Sequence, residues 1–181
     1  MQFLEKHGYS IQLLIATKIG EPLYSKLGFK VTSNYHFWKI DETVLFEKSK
    51  NIRPLRNEDL KTILKLDKII TGEIRQTFIE RFISTGCVCT SDSSKRVEGY
   101  YLPDFGNGLI IANNNQSGLE LMKFKLSQSK KIVIPEANIT AINYLKYNGF
   151  EKYSVCPRMA LNGDIEWKPE LVFSRASGYC G

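Results

Sequence analysis

The sequence predicts an α/β fold with a mixed β-sheet flanked by helices, and three observations predict it. Short apolar, β-branched runs alternate with segments whose apolar residues recur at helical spacing. An antiparallel hairpin, Cys87–Thr90 with Val97–Leu102 across the turn Asp92-Ser93-Ser94-Lys95, precedes that alternation in the second half. A βα unit also occurs twice in the chain.

The elements follow in order. Residues 1–7 read as the end of a helix carrying Phe3 and Leu4, with Gly8 as its stop. Residues 11–16 form a buried strand. Thr17 caps a helix over residues 20–27, which Gly28 ends. Residues 29–40, rich in aromatic and β-branched side chains (Val31, Tyr35, Phe37, Trp38), read as one or two strands. The polar stretch 48–51 is a linker. Ile52-Arg53-Pro54-Leu55 opens a new unit. Asn57 or Glu58 then starts a helix with Leu60, Ile63, Leu64 and Leu66 on its apolar face. Thr71-Gly72 breaks it, and residues 74–83 form a second helix. After the hairpin come a strand over 109–112, a polar loop over 113–118 and a helix over 119–126. A strand over 132–135, a helix over 139–147, a strand from Phe150 and a last strand over 170–175 complete the chain.

Bulk properties narrow the functional classes. The 181 residues are 43% hydrophobic and 24% charged, the balance of an ordinary globular chain. No apolar run approaches the roughly 20 residues that span a bilayer, and residues 1–8 lack a secretory signal's apolar segment. A cytoplasmic location without a membrane partner is therefore expected. The net charge of +6 comes from lysines spread along the chain rather than from one block. That pattern is a solvated basic surface and gives no reason to expect nucleic acid. Cys87, Cys89, Cys156 and Cys180 have neither zinc-knuckle nor Cys-x-x-Cys spacing, so free thiols and no metal are expected. His7 and His36 lack the neighbours of a triad.

The repeat appears when the chain is slid by 121 residues. Residues 1–29 then fall on 122–150 without a gap, and Met1/Met122, Phe3/Phe124, Ile11/Ile132, Ala16/Ala137, Gly28/Gly149 and Phe29/Phe150 are identical. Chance would supply about two such matches. Thr17 also meets Asn138, both helix-capping types, and the order strand, cap, helix, Gly-Phe is kept.

Ala16-Thr17 followed by Leu23-Tyr24-Ser25-Lys26-Leu27-Gly28-Phe29 resembles the late motif of GNAT-type N-acetyltransferases. The second copy, with Asn138, Ala141, Gly149 and Phe150, is similar. The start at Ile52-Arg53-Pro54-Leu55 with Glu58-Asp59-Leu60, and the set Asp67, Gly72, Arg75, resemble the second domain of tandem GNAT proteins. The resemblance implies two units: residues 1–48 as the C-terminal fragment of a first GNAT-like domain, and residues 49–181 as a second GNAT-like domain.

It also implies transfer of acetyl from acetyl-CoA to the amine of a small molecule or peptide. In that fold two parallel strands part, here 109–112 and 132–135, and free backbone groups at Ile110 and Ile111 bind the pantetheine arm. A helix N-terminus near Gly118 faces the pyrophosphate, and Asn138 either holds the cofactor or caps its helix. Tyr24 stands where the family has the tyrosine that protonates the leaving thiolate; Leu145 takes that place in the second copy. The family's phosphate-loop pattern is missing from both copies, since Asn113–Gly118 lacks its spacing and the first copy begins after it. Residues 1–48 are too few to bury a core alone. They are expected to be the remnant of a longer tandem chain, or to dock on the second unit or on another copy in a homodimer. The alternative function is a non-catalytic GNAT-like scaffold supporting a catalytic domain.

Overall fold

The structure, a computed structural model, describes residues 11–42 and 49–176. The helix expected over residues 1–7, Gly8, His7, the linker residue Lys48 and Cys180 lie outside the described residues.

The first unit is β1 (Gln12–Ile15), α1 (Glu21–Lys26) and β2 (Lys30–Lys39). The second begins with β3 (Ile52–Pro54), α2 (Leu60–Thr71) and α3 (Gln76–Phe82), followed by the strands β4 (Cys87–Thr90), β5 (Val97–Leu102) and β6 (Leu109–Ala112). It ends with α4 (Asn115–Leu126), β7 (Lys131–Pro135), α5 (Ile139–Tyr147), β8 (Glu151–Leu161) and β9 (Val172–Ser174). Three boundaries differ from the sequence expectation. Residues 30–39 form one continuous strand. The second helix of this unit starts at Gln76, not at residue 74. The polar run before Leu119 is already helix, because the Asn114 side chain accepts the Ser117 N–H at 2.9 Å and so starts the helix four residues earlier.

The strands form two sheets, ordered β3-β4-β5-β6-β9 and β1-β8-β2-β7. One core cluster joins α4, α5 and the sheets through Leu121, Met122, Ile134, Leu145 and Phe173; a second lies beneath α2 and α3, with Ile63, Ile70, Ile79, Tyr100 and Ile111. The first unit owns only a small cluster of Ala16, Phe29 and Met159. β9 alternates between the two large cores, with Phe173 in one and Val172 in the other. Burying those two side chains contributes about 3–6 kcal/mol before entropy is counted.

The buried face of α2 runs through Ile63, Asp67 and Ile70, so a carboxylate sits in the middle of an apolar stripe. Arg75 holds it, with Nε 3.1 Å from one Asp67 oxygen and Nη2 2.5 Å from the other, and the Tyr100 hydroxyl donates to the same carboxylate. Burial opposes the Arg75 charge, but the hydrogen bonds to Asp67 outweigh it and hold the guanidinium protonated. The Asp67, Gly72 and Arg75 set singled out in the sequence is thus the lock between α2 and α3. Gly72 turns the chain at φ +72°, and a side chain there would lie 2.3 Å from the Glu166 carbonyl oxygen.

The repeat is written into the strand register. β2 and β8 pair antiparallel, with Lys30 opposite Ala160, Val31 opposite Met159, Tyr35 opposite Cys156, Trp38 opposite Lys152 and Lys39 opposite Glu151. Adding 121 to a β2 number and subtracting 121 from its partner's returns another pair of the same ladder; Tyr35 and Cys156 exchange with each other. The bulges obey the same rule, Thr32 being the extra residue on β2 and Tyr153 on β8. The pairing therefore has a pseudo-twofold axis through Tyr35 and Cys156. Each unit has placed its last strand inside the other's half of the sheet, and this ladder ties a three-element unit with too little core of its own to the larger one. The outer strands depart from the symmetry. Val133 would face Ile40 if β7 copied the β1–β8 register, but it faces Phe37, three residues away.

Candidate functional site: a gap between strands and the segment that fills it

The strands β6 and β7 are not the parting neighbours of one sheet that the resemblance implies; they lie in different sheets, and β9, the partner of β6, packs between them. Ile110 pairs with Ser174 and Ile111 with Val172 on the β6 side. On the β7 side the Arg175 N–H donates to the Val133 carbonyl at 3.1 Å. The Asn107 N–H meets the Ala176 carbonyl at the far end of the segment. Residues 172 to 176 are all buried, Phe173 and Ser174 with no exposed surface. The backbone groups of Ile110 and Ile111, expected to face a pantetheine arm, therefore face the chain's own terminal strand. The reason is elementary: unpaired groups beside a buried gap must find partners.

Gly118 has a different role from the one expected. Its N–H bonds the Asn114 carbonyl at 3.2 Å, and a Cβ at this position would fall 2.1 Å from the Phe173 ring. The glycine makes room for that ring. At the same helix start, Glu98 accepts from the Ser117 hydroxyl at 2.7 Å and from the Asn114 side-chain amide at 3.1 Å. A carboxylate thus already meets the positive end of α4. Asn138 is buried, caps α5 by accepting the Ala141 N–H at 2.9 Å, and donates to the Val172 carbonyl at 3.0 Å. All four residues named for the cofactor, Ile110, Ile111, Gly118 and Asn138, come together around β9.

Tyr24 lies apart from them, in the first unit. It is half-buried on α1, edge-on to Phe29 with ring centroids 5.7 Å apart, and packs in the small cluster with Ala16 and Met159. Thr17 accepts the Gly20 N–H at 3.1 Å in the turn leading into α1, the counterpart of the Asn138 cap. The strand before it, β1, is the edge of its sheet, and no strand among the described residues pairs with its outer side. Counted with the 121-residue interval, β9 corresponds to residues 51–53. That stretch, which follows the first unit, fills no gap because it enters β3 and pairs with β4.

Beneath β9 lies a cavity of about 10 Å³, mostly apolar in lining, where Glu73, Arg75 and Arg158 meet Leu109, Ile111, Trp167 and Val172, room for a single water. Arg158 lies over the Trp167 ring at 4.8 Å and donates to Asp164 and Thr32 at 2.7 and 2.8 Å. Burial pushes the Glu73 carboxyl above its usual range, with Arg75 opposing. Ahead of β9, Lys168 N–H donates to the Ile70 carbonyl at 2.7 Å, so the segment before the strand is pinned as well. Sequence reading missed the placement of β9 and the Glu98 contact. Phe173 offered the one available signal, an aromatic residue with no neighbouring motif to explain it. The free cysteines Cys87 and Cys89 are buried core residues whose thiols burial pushes up to about 12, in keeping with packing and not with a redox role.

A sequence model of the acetyltransferase (GNAT) domain matches residues 63–173. Among curated proteins none matches. Among solved structures, a Pyrococcus horikoshii protein provisionally named an acetyltransferase superposes with a TM-score of 0.81 at 19% identity over 99% of this chain. A GCN5-related N-acetyltransferase from Anabaena variabilis gives 0.53 at 14% over 88%, and a GNAT-family acetyltransferase from Colwellia psychrerythraea 0.55 at 8% over 82%. The chain spans 64%, 47% and 63% of those three structures' lengths. At these identities the likeness is one of fold. No helix among the described residues is long and apolar enough to cross a membrane. The domain match covers well over half of the sequence, and the chain belongs to the GNAT acetyltransferase family.

Proposed function

We propose that this chain is part of an N-acetyltransferase that moves acetyl from acetyl-CoA to the amine of a small molecule or peptide, with the chemistry at the first unit. One observation carries the reading: of two units related by a 121-residue interval, the second has its gap strand-filled and Leu145 on its late helix, whereas the first has Tyr24 and a β1 edge that no strand among the described residues pairs. A strand edge offers alternating N–H and C=O groups to an extended amide-bearing arm. The amine attacks the thioester carbonyl, forming the amide bond and expelling the coenzyme thiolate. Tyr24 delivers the proton that the thiolate takes up, and the proton lost by the amine goes to solvent. Pantetheine along β1 brings thioester and tyrosine to the same end of the unit, so positioning supplies much of the acceleration.

The experiment is thiol release from acetyl-CoA over a panel of amines, with calorimetric titration of acetyl-CoA. The Tyr24→Phe variant is expected to keep cofactor affinity and lose turnover. Unchanged turnover would remove Tyr24 from the chemistry, and acetyl-CoA contacts confined to β6 and β7 would move the chemistry to the second unit.

A further inference from the structure

We infer that β9 is a built-in occupant of the second unit's cofactor gap, which makes residues 49–176 a permanently cofactor-free supporting unit. Four independent contacts carry this. The segment bonds both walls of the gap, β6 through Ile110 and Ile111 and β7 through Val133. Its aromatic side chain, Phe173, is fully buried and lies where only a glycine, Gly118, leaves room. Asn138, the cap of the helix beyond the gap, holds the Val172 carbonyl with its amide. At the α4 start that would receive a pyrophosphate, Asn114 already takes the Ser117 N–H and Glu98 bonds the Ser117 and Asn114 side chains, so a diphosphate brought there would meet a carboxylate. An extended peptide thus makes the contacts that an extended pantetheine amide chain would make, in two directions at once. Expelling it would expose Val172 and Phe173 and leave the edges of β6 and β7 unpaired. The segment is held at its start too, by the Lys168 bond to α2.

The inference does not depend on the proton-donor assignment, and one experiment separates the two. Amide hydrogen exchange is followed by mass spectrometry on the intact chain, alone and with saturating acetyl-CoA. Peptides covering 109–112 and 172–176 are expected among the slowest to exchange, at rates within about two-fold of each other's ligand-free values whether or not cofactor is present. Protection of 12–16 alone supports this inference and the functional reading together. Protection nowhere sinks the functional reading and leaves this one standing. Faster exchange of 172–176 with new protection of 109–112 would mean that cofactor displaces β9, and would overturn the inference. The Gly118→Ala variant adds a second readout: its Cβ drives against Phe173, so a lower Tm is expected, and acetyl-CoA shifts it no more than it shifts the unaltered chain's. A larger acetyl-CoA shift in the variant than in the unaltered chain would show a latch in place of a permanent occupant.

Discussion

The two units of this chain start from the same strand, cap, helix and Gly-Phe order and end in opposite conditions. In the second, β9 pairs with β6 and bonds β7 across the gap, the late helix lies on a large core, and Asn138 holds the Val172 carbonyl. In the first, β1 ends its sheet among the described residues, Ala16 and Phe29 share a small cluster with Met159 of β8, and the late helix α1 has no buried residue. The difference teaches that a shared local pattern fixes how a unit turns, while its neighbours fix whether the result is a site or a wall. Residues 51–53 and 172–174 stand at equivalent distances from the repeat, yet one stretch enters a sheet edge and the other enters a gap.

The largest test of that contrast is catalytic. Tyr24→Phe is expected to lower turnover about 10²- to 10⁴-fold, the span of a general acid's contribution, while Leu145→Tyr in the second unit gains no activity. Equal effects of the two changes would erase the division of labour. Stability gives the next contrast. Phe29 and Phe150 are equivalent and equally buried, but Phe150 belongs to the large core and Phe29 to the small one. Phe150→Ala is expected to cost about 3–5 kcal/mol by thermal or denaturant unfolding, and Phe29→Ala clearly less, because a site near the surface collapses more easily.

The helix caps come third. Asn138→Ala removes a cap and strands the Val172 carbonyl in a buried position, for about 2–4 kcal/mol, whereas the exposed Thr17→Ala costs about 0.5–1 kcal/mol. Equal costs would show that β9 does not lean on Asn138. The smallest effect is expected on the pseudo-twofold axis. The Tyr35 hydroxyl is buried without a hydrogen-bond partner, so Tyr35→Phe is expected to change the unfolding free energy by less than about 0.5 kcal/mol, or to stabilise slightly. A large loss there would show that the hydroxyl does have a partner, such as a buried water.

Elements of one unit at a time were readable from residue order. The strands at 87–90, 97–102 and 109–112, the helix at 139–147 and the stop at Gly72 follow from alternation, helical spacing and left-handed glycine, all of which act within a few residues. The 121-residue repeat was legible as well, and its late motif pointed to the correct family. What residue order did not reveal was the partner of each strand. β2 and β8 cross into each other's units, and β9, a plain Val-Phe-Ser, pairs with β6 and bonds β7. Strand edges are chemically alike, so their pairing is chosen by which buried groups would otherwise go unsatisfied and which side chains fit the cores on either side. Only the folded arrangement holds that information: the glycine at 118 was visible in the sequence, but the ring it makes room for lies 55 residues along the chain.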